Sequence, residues 1–280
     1  MNTEFAGLVE FSDRFSARPG ISHVVFDFDG TLSLVREGWP DVMLPMFQEY
    51  LPTSSGSSSQ EDREMLLDDM MKLTGKQTIY QMIQFTDRVK ERGGSPKTPL
   101  EYKHEYLRRL DQKIKSRHEA LLSGASKADD FLVYNSVELL ELLKDLGMNI
   151  YLASGTDEQF VKSEAQMLGI DKYFGNCIYG AQDDYKSFSK KMVINRILKE
   201  NDIDGSKLLS FGDGYVEIEN TKEVGGLAVA VASDEAKNGS GQFDLWKKNR
   251  LEQVHADVFI PDFRDIRLVM DIILGNKDRP

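Results

Sequence analysis

The chain has 280 residues, of which 40% are hydrophobic and 29% charged, an ordinary composition for a globular protein. Its formal net charge of −11 disfavours nucleic acids and anionic membranes as partners, because both require a basic face. The single cysteine, Cys177, excludes an internal disulfide framework and fits a reducing compartment. There is no signal-peptide pattern, and no run approaches the roughly 18 apolar residues of a membrane span. We therefore expect a cytoplasmic protein.

The first apolar run, HVVFDF at 23–28, predicts a buried strand, and a helical region follows it. Apolar residues recur there at i, i+3, i+4 and i+7, which predicts four helices at 40–51, 61–75, 78–94 and 99–124. The Ser-rich stretch 53–62 predicts an exposed, mobile loop between the first two helices. This middle region contains no convincing strand.

From residue 135 the pattern changes, and short apolar runs alternate with amphipathic segments. The runs predict strands at 149–155, 176–181, 207–214, 227–233 and 256–263, and the segments predict helices at 136–147, 158–169 and 190–201. Because the runs lack strict alternation, both faces of the sheet are expected to be covered, as in a doubly wound parallel α/β sheet. Residues 1–34 and 135–280 would then form one discontinuous core domain, and 35–134 an inserted all-α domain.

Polar and charged side chains lie where these strands end. They are Asp27 and Asp29 after the first strand, Ser154, Gly155 and Thr156 after the second, Asp213 and Glu217 after the run at 207–214, and Lys190 with Lys191 at a helix start. Ligands of open parallel sheets bind beyond the carboxyl ends of the strands. Carboxylates suit Mg²⁺, whereas a hydroxyl, backbone N–H groups and a lysine can hold phosphate oxygens. One carboxylate can attack phosphorus while a second transfers a proton.

Four segments in this order resemble the motifs of the haloacid dehalogenase superfamily of phosphohydrolases. They are DFDGT, YLASGT, the lysine near 190 and GDGYVE, and the resemblance covers about 180 of the 280 residues. It implies a Rossmann-like core and identifies the helical insertion, which follows the first motif, as a cap over the active site. The second aspartate of DFDGT implies phosphoryl transfer, because relatives that release a halide lack it.

The resemblance also implies roles for single residues at the first two motifs. Asp27 would be the nucleophile and a Mg²⁺ ligand, and the Phe28 carbonyl would add a metal contact. Asp29 would be the general acid and base. Ser154 would bind the phosphoryl group, with the N–H of Gly155 beside it.

The third and fourth motifs imply further roles. Asp213 would ligate Mg²⁺, while Glu217 would either hold a metal-bound water or orient the lysine. Lys190 fits the catalytic, phosphate-binding lysine best, because apolar residues follow it at core-facing helical positions. Lys191 and then Lys186 are the alternatives.

Three residues of the insertion are candidates for substrate specificity. Arg36 can bind a second anionic group or form a salt bridge at the hinge. Trp39 can stack on a sugar or base or pack in the core. Lys76, in GKQT at 75–78, can face the active site or lie in an ordinary loop between helices.

These residues predict a Mg²⁺-dependent phosphatase that acts on a small soluble phosphomonoester, such as a sugar phosphate, through an aspartyl-phosphate. The alternatives are a phosphomutase similar to β-phosphoglucomutase, a hydrolase that cleaves a C–P bond through a Schiff base on a cap lysine, and a catalytically vestigial phosphate-binding module. The sequence specifies neither the substrate nor the oligomeric state.

Overall fold

A computed structural model of the protein describes residues 5–53, 56 and 58–279. A seven-stranded sheet runs through it in the order β1-β7-β6-β5-β2-β3-β4. The strands are β1 (Glu10–Phe11), β2 (His23–Phe26), β3 (Asn149–Asp157), β4 (Ile178–Ala181), β5 (Leu208–Gly212), β6 (Leu227–Val231) and β7 (Val258–Ile260). Only β1 is antiparallel to its neighbour. The predicted α/β class with a parallel sheet is confirmed, whereas β1, with two residues, is too short to show a periodicity.

Of the five helices between β2 and β3 in the described part of the chain, the first four pack against one another. They are α1 (Pro40–Tyr50), α2 (Ser59–Lys72), α3 (Thr78–Glu91) and α4 (Pro99–Ser123). In their shared core Phe47 of α1 stacks on Phe85 of α3, with ring centroids 4.0 Å apart. Helix α2 begins earlier than the pattern predicted because Ser58 and Glu61 form a capping box. Residues 54, 55 and 57 of the predicted loop lie outside the described residues.

Six further helices follow along the chain. They are α5 (Ser136–Asp145), α6 (Glu158–Met167), α7 (Lys190–Glu200), α8 (Tyr215–Glu223), α9 (Leu245–Gln253) and α10 (Ile266–Ile273). The predicted helices correspond to α5, α6 and α7, whereas α8, α9 and α10 were not predicted. Part of the reason lies in α8 and α9, whose apolar faces are weak and bury few residues.

The side chains of β2, a strand inside the sheet, show that the sheet is covered on both faces. Successive side chains of a strand point to opposite faces. Val24 and Phe26 belong to the main apolar core, and Val25 packs in a second cluster that contains Val193 of α7. No residue of β2 is more than 5% exposed. This burial accounts for the unbroken apolar run in the sequence.

The register of the sheet determines where the functional side chains meet. Phe26, the last residue of β2, pairs with Leu152 of β3 on one side and with Phe211 of β5 on the other. The residues that follow these three positions therefore meet at one edge of the sheet. In the part of the chain that the structure describes, no helix is long and apolar enough to cross a membrane.

Candidate active site

Asp27 is the first residue beyond β2, and its N–H continues the ladder by donating to the carbonyl of Phe211 at 3.0 Å. Its side chain is buried, and Oδ2 lies 2.7 Å from Nζ of Lys190. Oδ1 accepts a hydrogen bond of 2.8 Å from the N–H of Phe28, whose ring packs in the core. Burial raises the pKa of Asp27 well above its ordinary value, although the charge of Lys190 opposes that shift. A cation beside Asp27 is therefore needed to keep it ionised.

Lys190 supplies one such cation from the first residue of α7, whose N-cap is Ser189. Its Nζ also lies 2.8 Å from Oε2 of Glu217, so that two buried carboxylates share one ammonium group. Burial lowers the pKa of Lys190, but the two carboxylates raise it by more. Lys191 instead pairs with Glu223 at the surface, and Lys186 is exposed. Among the three candidate lysines, the structure brings Lys190 alone to Asp27.

Asp213 and Glu217 complete an acidic group with Asp27, in which one carboxylate oxygen of each residue lies within 4.8 Å of the others. Asp213 is held by Thr31, whose hydroxyl accepts from the N–H of Asp213 at 2.9 Å. Glu217 is held by Lys190 through Oε2 and by the N–H of Gly214, 2.6 Å from Oε1. Both oxygens of Glu217 therefore contact the protein, one of them through Lys190.

A second buried lysine, which sequence reasoning missed, lies behind Asp213. Nζ of Lys247 on α9 is 2.9 Å from Oδ2 of Asp213 and 2.6 Å from Oε1 of Glu235. It also contacts the hydroxyl of Ser233 at 3.1 Å, and Ser233 donates to the carbonyl of Gly30. Ser233 and Glu235 follow β6, so inspection of that strand end would have found them. No sequence signal pointed to Lys247.

The charges of this cluster fit a divalent cation. Its four carboxylates belong to Asp27, Asp213, Glu217 and Glu235, and its ammonium groups to Lys190 and Lys247. When all four carboxylates are ionised, four negative and two positive charges leave two negative charges largely buried, a costly arrangement without a counter-ion. Oxygen ligands of this kind suit Mg²⁺. The residues present therefore fit the expected metal.

Asp29 faces the same cavity but has a different environment. Its Oδ2 accepts from the Thr156 hydroxyl at 2.8 Å and lies 3.4 Å from Oγ of Ser154. Its Oδ1 is buried without a hydrogen-bond partner, and Nε of Arg36 is 3.8 Å away. Burial raises the pKa of Asp29 to about 6, against the opposing charge of Arg36 and with a further increase from Glu164. A carboxyl group with such a pKa can both give and take a proton near neutral pH.

Arg36 lies at the start of the insertion, and its guanidinium is already engaged. It contacts both oxygens of Glu164 on α6, with Nη2 2.7 Å from Oε1, and lies over the Phe160 ring at 5.3 Å. This arrangement corresponds to the salt-bridge alternative rather than to a free anion site. Trp39 is half-buried; it packs against the main core and also lines the cavity.

The cavity lies between the strand ends and the inserted helices, with about 740 Å³ of empty space including its opening to solvent. From the insertion, Thr74, Gly75, Lys76 and Trp39 line it. The backbone of Lys76 lies close to Gly155, because a Cβ on Gly155 would lie 2.6 Å from the carbonyl oxygen of Lys76. Only glycine therefore leaves room for this contact.

A family model for haloacid dehalogenase-like hydrolases matches residues 21–225. A predicted phosphatase from Clostridium acetobutylicum has a similar solved structure, with a TM-score of 0.59 at 15% identity over 91% of this chain and 99% of that one. The structure of a predicted phosphoglycolate phosphatase from Haemophilus somnus has a TM-score of 0.56 at 16% identity, over 89% of this chain and 98% of that one. The structure of a haloacid dehalogenase-like hydrolase from Streptococcus pneumoniae has a TM-score of 0.56 at 17% identity, over 89% of this chain and 98% of that one. No curated protein matches the chain.

Proposed function

Because the chain belongs to the haloacid dehalogenase-like hydrolases, we propose that it is a Mg²⁺-dependent phosphatase of small phosphomonoesters. The observation that carries this proposal is the pair of carboxylates Asp27 and Asp29, which line one cavity in different environments, Asp27 buried and Asp29 partly exposed. The carboxylate of Asp27 is paired with Lys190, whereas the raised pKa of Asp29 suits proton transfer. A single cysteine and the acidic charge support a cytoplasmic location.

In the first step Asp27 attacks phosphorus, and the bond between phosphorus and the leaving-group oxygen breaks. Asp29, in its acid form, gives its proton to that oxygen, so the leaving group departs as a neutral alcohol. The product on the enzyme is an aspartyl-phosphate. The Ser154 hydroxyl and the N–H of Gly155 would hold the phosphoryl oxygens beside Lys190.

In the second step a water molecule attacks phosphorus while the Asp29 carboxylate accepts its proton. The bond between phosphorus and the Asp27 oxygen breaks, which releases inorganic phosphate and restores both carboxyl groups. Asp29 thus alternates between acid and base, as its pKa of about 6 allows.

Asp27 and Asp213 would hold the Mg²⁺ ion, with Glu217 next to them. The Phe28 carbonyl, which was expected to add a contact, instead accepts the backbone N–H groups of Leu32 and Ser33, both at 2.9 Å. The ion would offset the negative charge of the nucleophile and of the phosphoryl group. Lys247, which contacts Oδ2 of Asp213, would help to hold that carboxylate in place.

We propose further that residues 35–134 act as a cap domain on the core formed by 1–34 and 135–280. A cap of this kind excludes water and selects the leaving group. The close approach of Lys76 to Gly155 supports this role. Trp39 would contact the leaving group, since it lines the same cavity as Asp29.

The test is a screen of phosphorylated metabolites with Mg²⁺, in which released phosphate is measured and Asp27→Asn serves as the blank. We expect turnover of at least one small phosphomonoester by the wild type. Removing the nucleophile should cost three or more orders of magnitude, since loss of a covalent nucleophile can cost about 10⁶ in kcat. Circular dichroism melting would check that the variant is folded. Equal activity of the variant and the wild type would contradict the aspartyl-phosphate mechanism.

A further inference from the structure

The cations around the cavity differ in whether the protein already neutralises them. Lys190, Arg36 and Lys247 are buried, and each contacts at least one carboxylate within 3 Å. Lys76 lines the same cavity but is exposed, and within the described part of the chain no carboxylate lies within ion-pair distance of its Nζ. A charge without a protein partner at a ligand cavity is available to the ligand.

The backbone that carries Lys76 is held on the core at several points. The side-chain amide of Gln77 donates to the carbonyls of Tyr185 and Phe188, at 3.0 and 2.7 Å. On the other side, Arg250 of α9 donates to the carbonyls of Lys72 and Thr74, at 2.9 and 3.3 Å. These contacts, together with that on Gly155, fix the position of Lys76 relative to the strand ends.

The surroundings of the Lys76 side chain favour an anion rather than an apolar group. Its Nζ lies 5.9 Å from the ring centroids of both Tyr80 and Tyr215, at the limit of a weak cation–π contact. These rings limit where the ammonium group can move without neutralising it. The guanidinium of Arg250 stacks on Tyr215 at 4.6 Å and adds positive charge nearby.

We infer that the substrate carries a second anionic group, a carboxylate, that pairs with Lys76 while the phosphoryl group lies at Asp27. This inference rests on the proposed function and narrows its substrate class to phosphorylated acids. It also explains how so acidic a protein attracts such a substrate, since Lys76 is a local positive charge at the cavity. Arg36, by contrast, is unavailable because Glu164 holds it.

The experiment compares two probes that differ in one group, namely the phosphate esters of 3-hydroxypropanoate and of propane-1,3-diol. Binding to Asp27→Asn is measured by calorimetry with Mg²⁺ present, so that neither probe is consumed. A charge-assisted contact predicts that the carboxylate probe binds about 10-fold to 100-fold more tightly. Adding Lys76→Met should abolish this preference, whereas Lys76→Arg should retain most of it. Lys72→Met, which removes an exposed lysine of the same segment, is the matched control and should change nothing.

Equal affinities for the two probes, or a preference that survives Lys76→Met, would overturn the inference. Failure of both probes to bind would overturn it as well. The proposed function is judged separately, by phosphate release from an aryl phosphate with the wild-type enzyme. Turnover of the aryl phosphate without a carboxylate preference would retain the phosphatase and reject the second anion site.

Discussion

The charged cluster at the strand ends and the inserted segment at 74–76 differ in whether their charged side chains form ion pairs. At the strand ends Lys190 bridges Asp27 and Glu217, and Lys247 bridges Asp213 and Glu235. Across the cavity, Lys76 forms no ion pair with any described residue. The first region is organised before a ligand arrives, whereas the second has one charge for which the fold supplies no partner.

This difference assigns the chemical reaction to the strand ends and the choice of substrate to the inserted segment. Groups that act on a transition state work best when they are already oriented and shielded, because no reorganisation is then needed during the reaction. A group that recognises a leaving group must instead leave its charge for the substrate. Substitutions at the strand ends should therefore alter the reaction and stability, and those around Lys76 should alter the choice of substrate.

Apart from loss of the nucleophile itself, the largest effect is expected for Asp29→Asn, because proton transfer by a placed side chain contributes about 10² to 10⁴ in rate. An alkyl phosphate needs this proton for its leaving oxygen, so its turnover should fall by that factor. An aryl phosphate has a better leaving group, so its phosphoryl group should still reach Asp27. The second step also needs Asp29, and aspartyl-phosphate should accumulate.

Mass spectrometry of the acid-quenched protein would detect this adduct on Asp29→Asn. Asp27→Asn, which lacks the proposed nucleophile, is the matched control and should show none. If alkyl and aryl phosphates lost activity equally and no adduct formed, the division of labour between the two aspartates would be wrong.

A smaller effect is expected for Glu164→Gln, which breaks the buried pair with Arg36. Removing one partner of such a pair typically costs about 3 kcal/mol of the free energy of unfolding or more. Although burial raises the pKa of Glu164, Arg36 and His118 lower it by more, so that the net pKa is below its ordinary value. The stabilisation is thus present above the unfolded pKa and is lost as pH falls through the folded one.

Urea unfolding at pH 7 and near pH 3.5 measures this difference. We expect the gap between wild type and Glu164→Gln to be widest at pH 7 and to shrink in acid. Glu138→Gln is the control, because its pair with Arg267 lies at the surface and should contribute below about 1 kcal/mol. A pH-independent gap would show that the pair does not carry the stabilisation.

Features that depend on strand ends were accessible from sequence. Parallel strands bring their carboxyl ends to one edge whatever their order, so Asp27, Ser154 and Asp213 could be grouped before the sheet order was known. The apolar positions after Lys190 also favoured it over Lys191, because they define which side of α7 faces the core, and the structure brings Lys190 to Asp27.

Features that depend on the packing of helices were not accessible. Arg36 and Glu164 are 128 positions apart, and nothing in either segment marks the other as its partner. Lys247 lies on a helix with a weak apolar face, so neither the helix nor its orientation could be predicted. Both partnerships arise only when the helices pack onto the sheet.

Lys247→Met should produce the smallest of these effects. It tests whether the negative charge of the carboxylates at the strand ends is offset partly by Lys247 and partly by a divalent cation. The substitution keeps the apolar part of the side chain but leaves Asp213 and Glu235 without their shared ammonium group. In EDTA we expect the free energy of unfolding to fall by roughly 2 kcal/mol, which is within the usual cost of an unsatisfied buried polar group. With saturating Mg²⁺ the loss should be smaller, because a bound cation offsets part of the added negative charge. Thermal melts of both proteins in the two conditions measure this, with Lys191→Met as a surface control. An equal loss in both conditions would mean that Lys247 packs in the fold without contributing to the charge of the site.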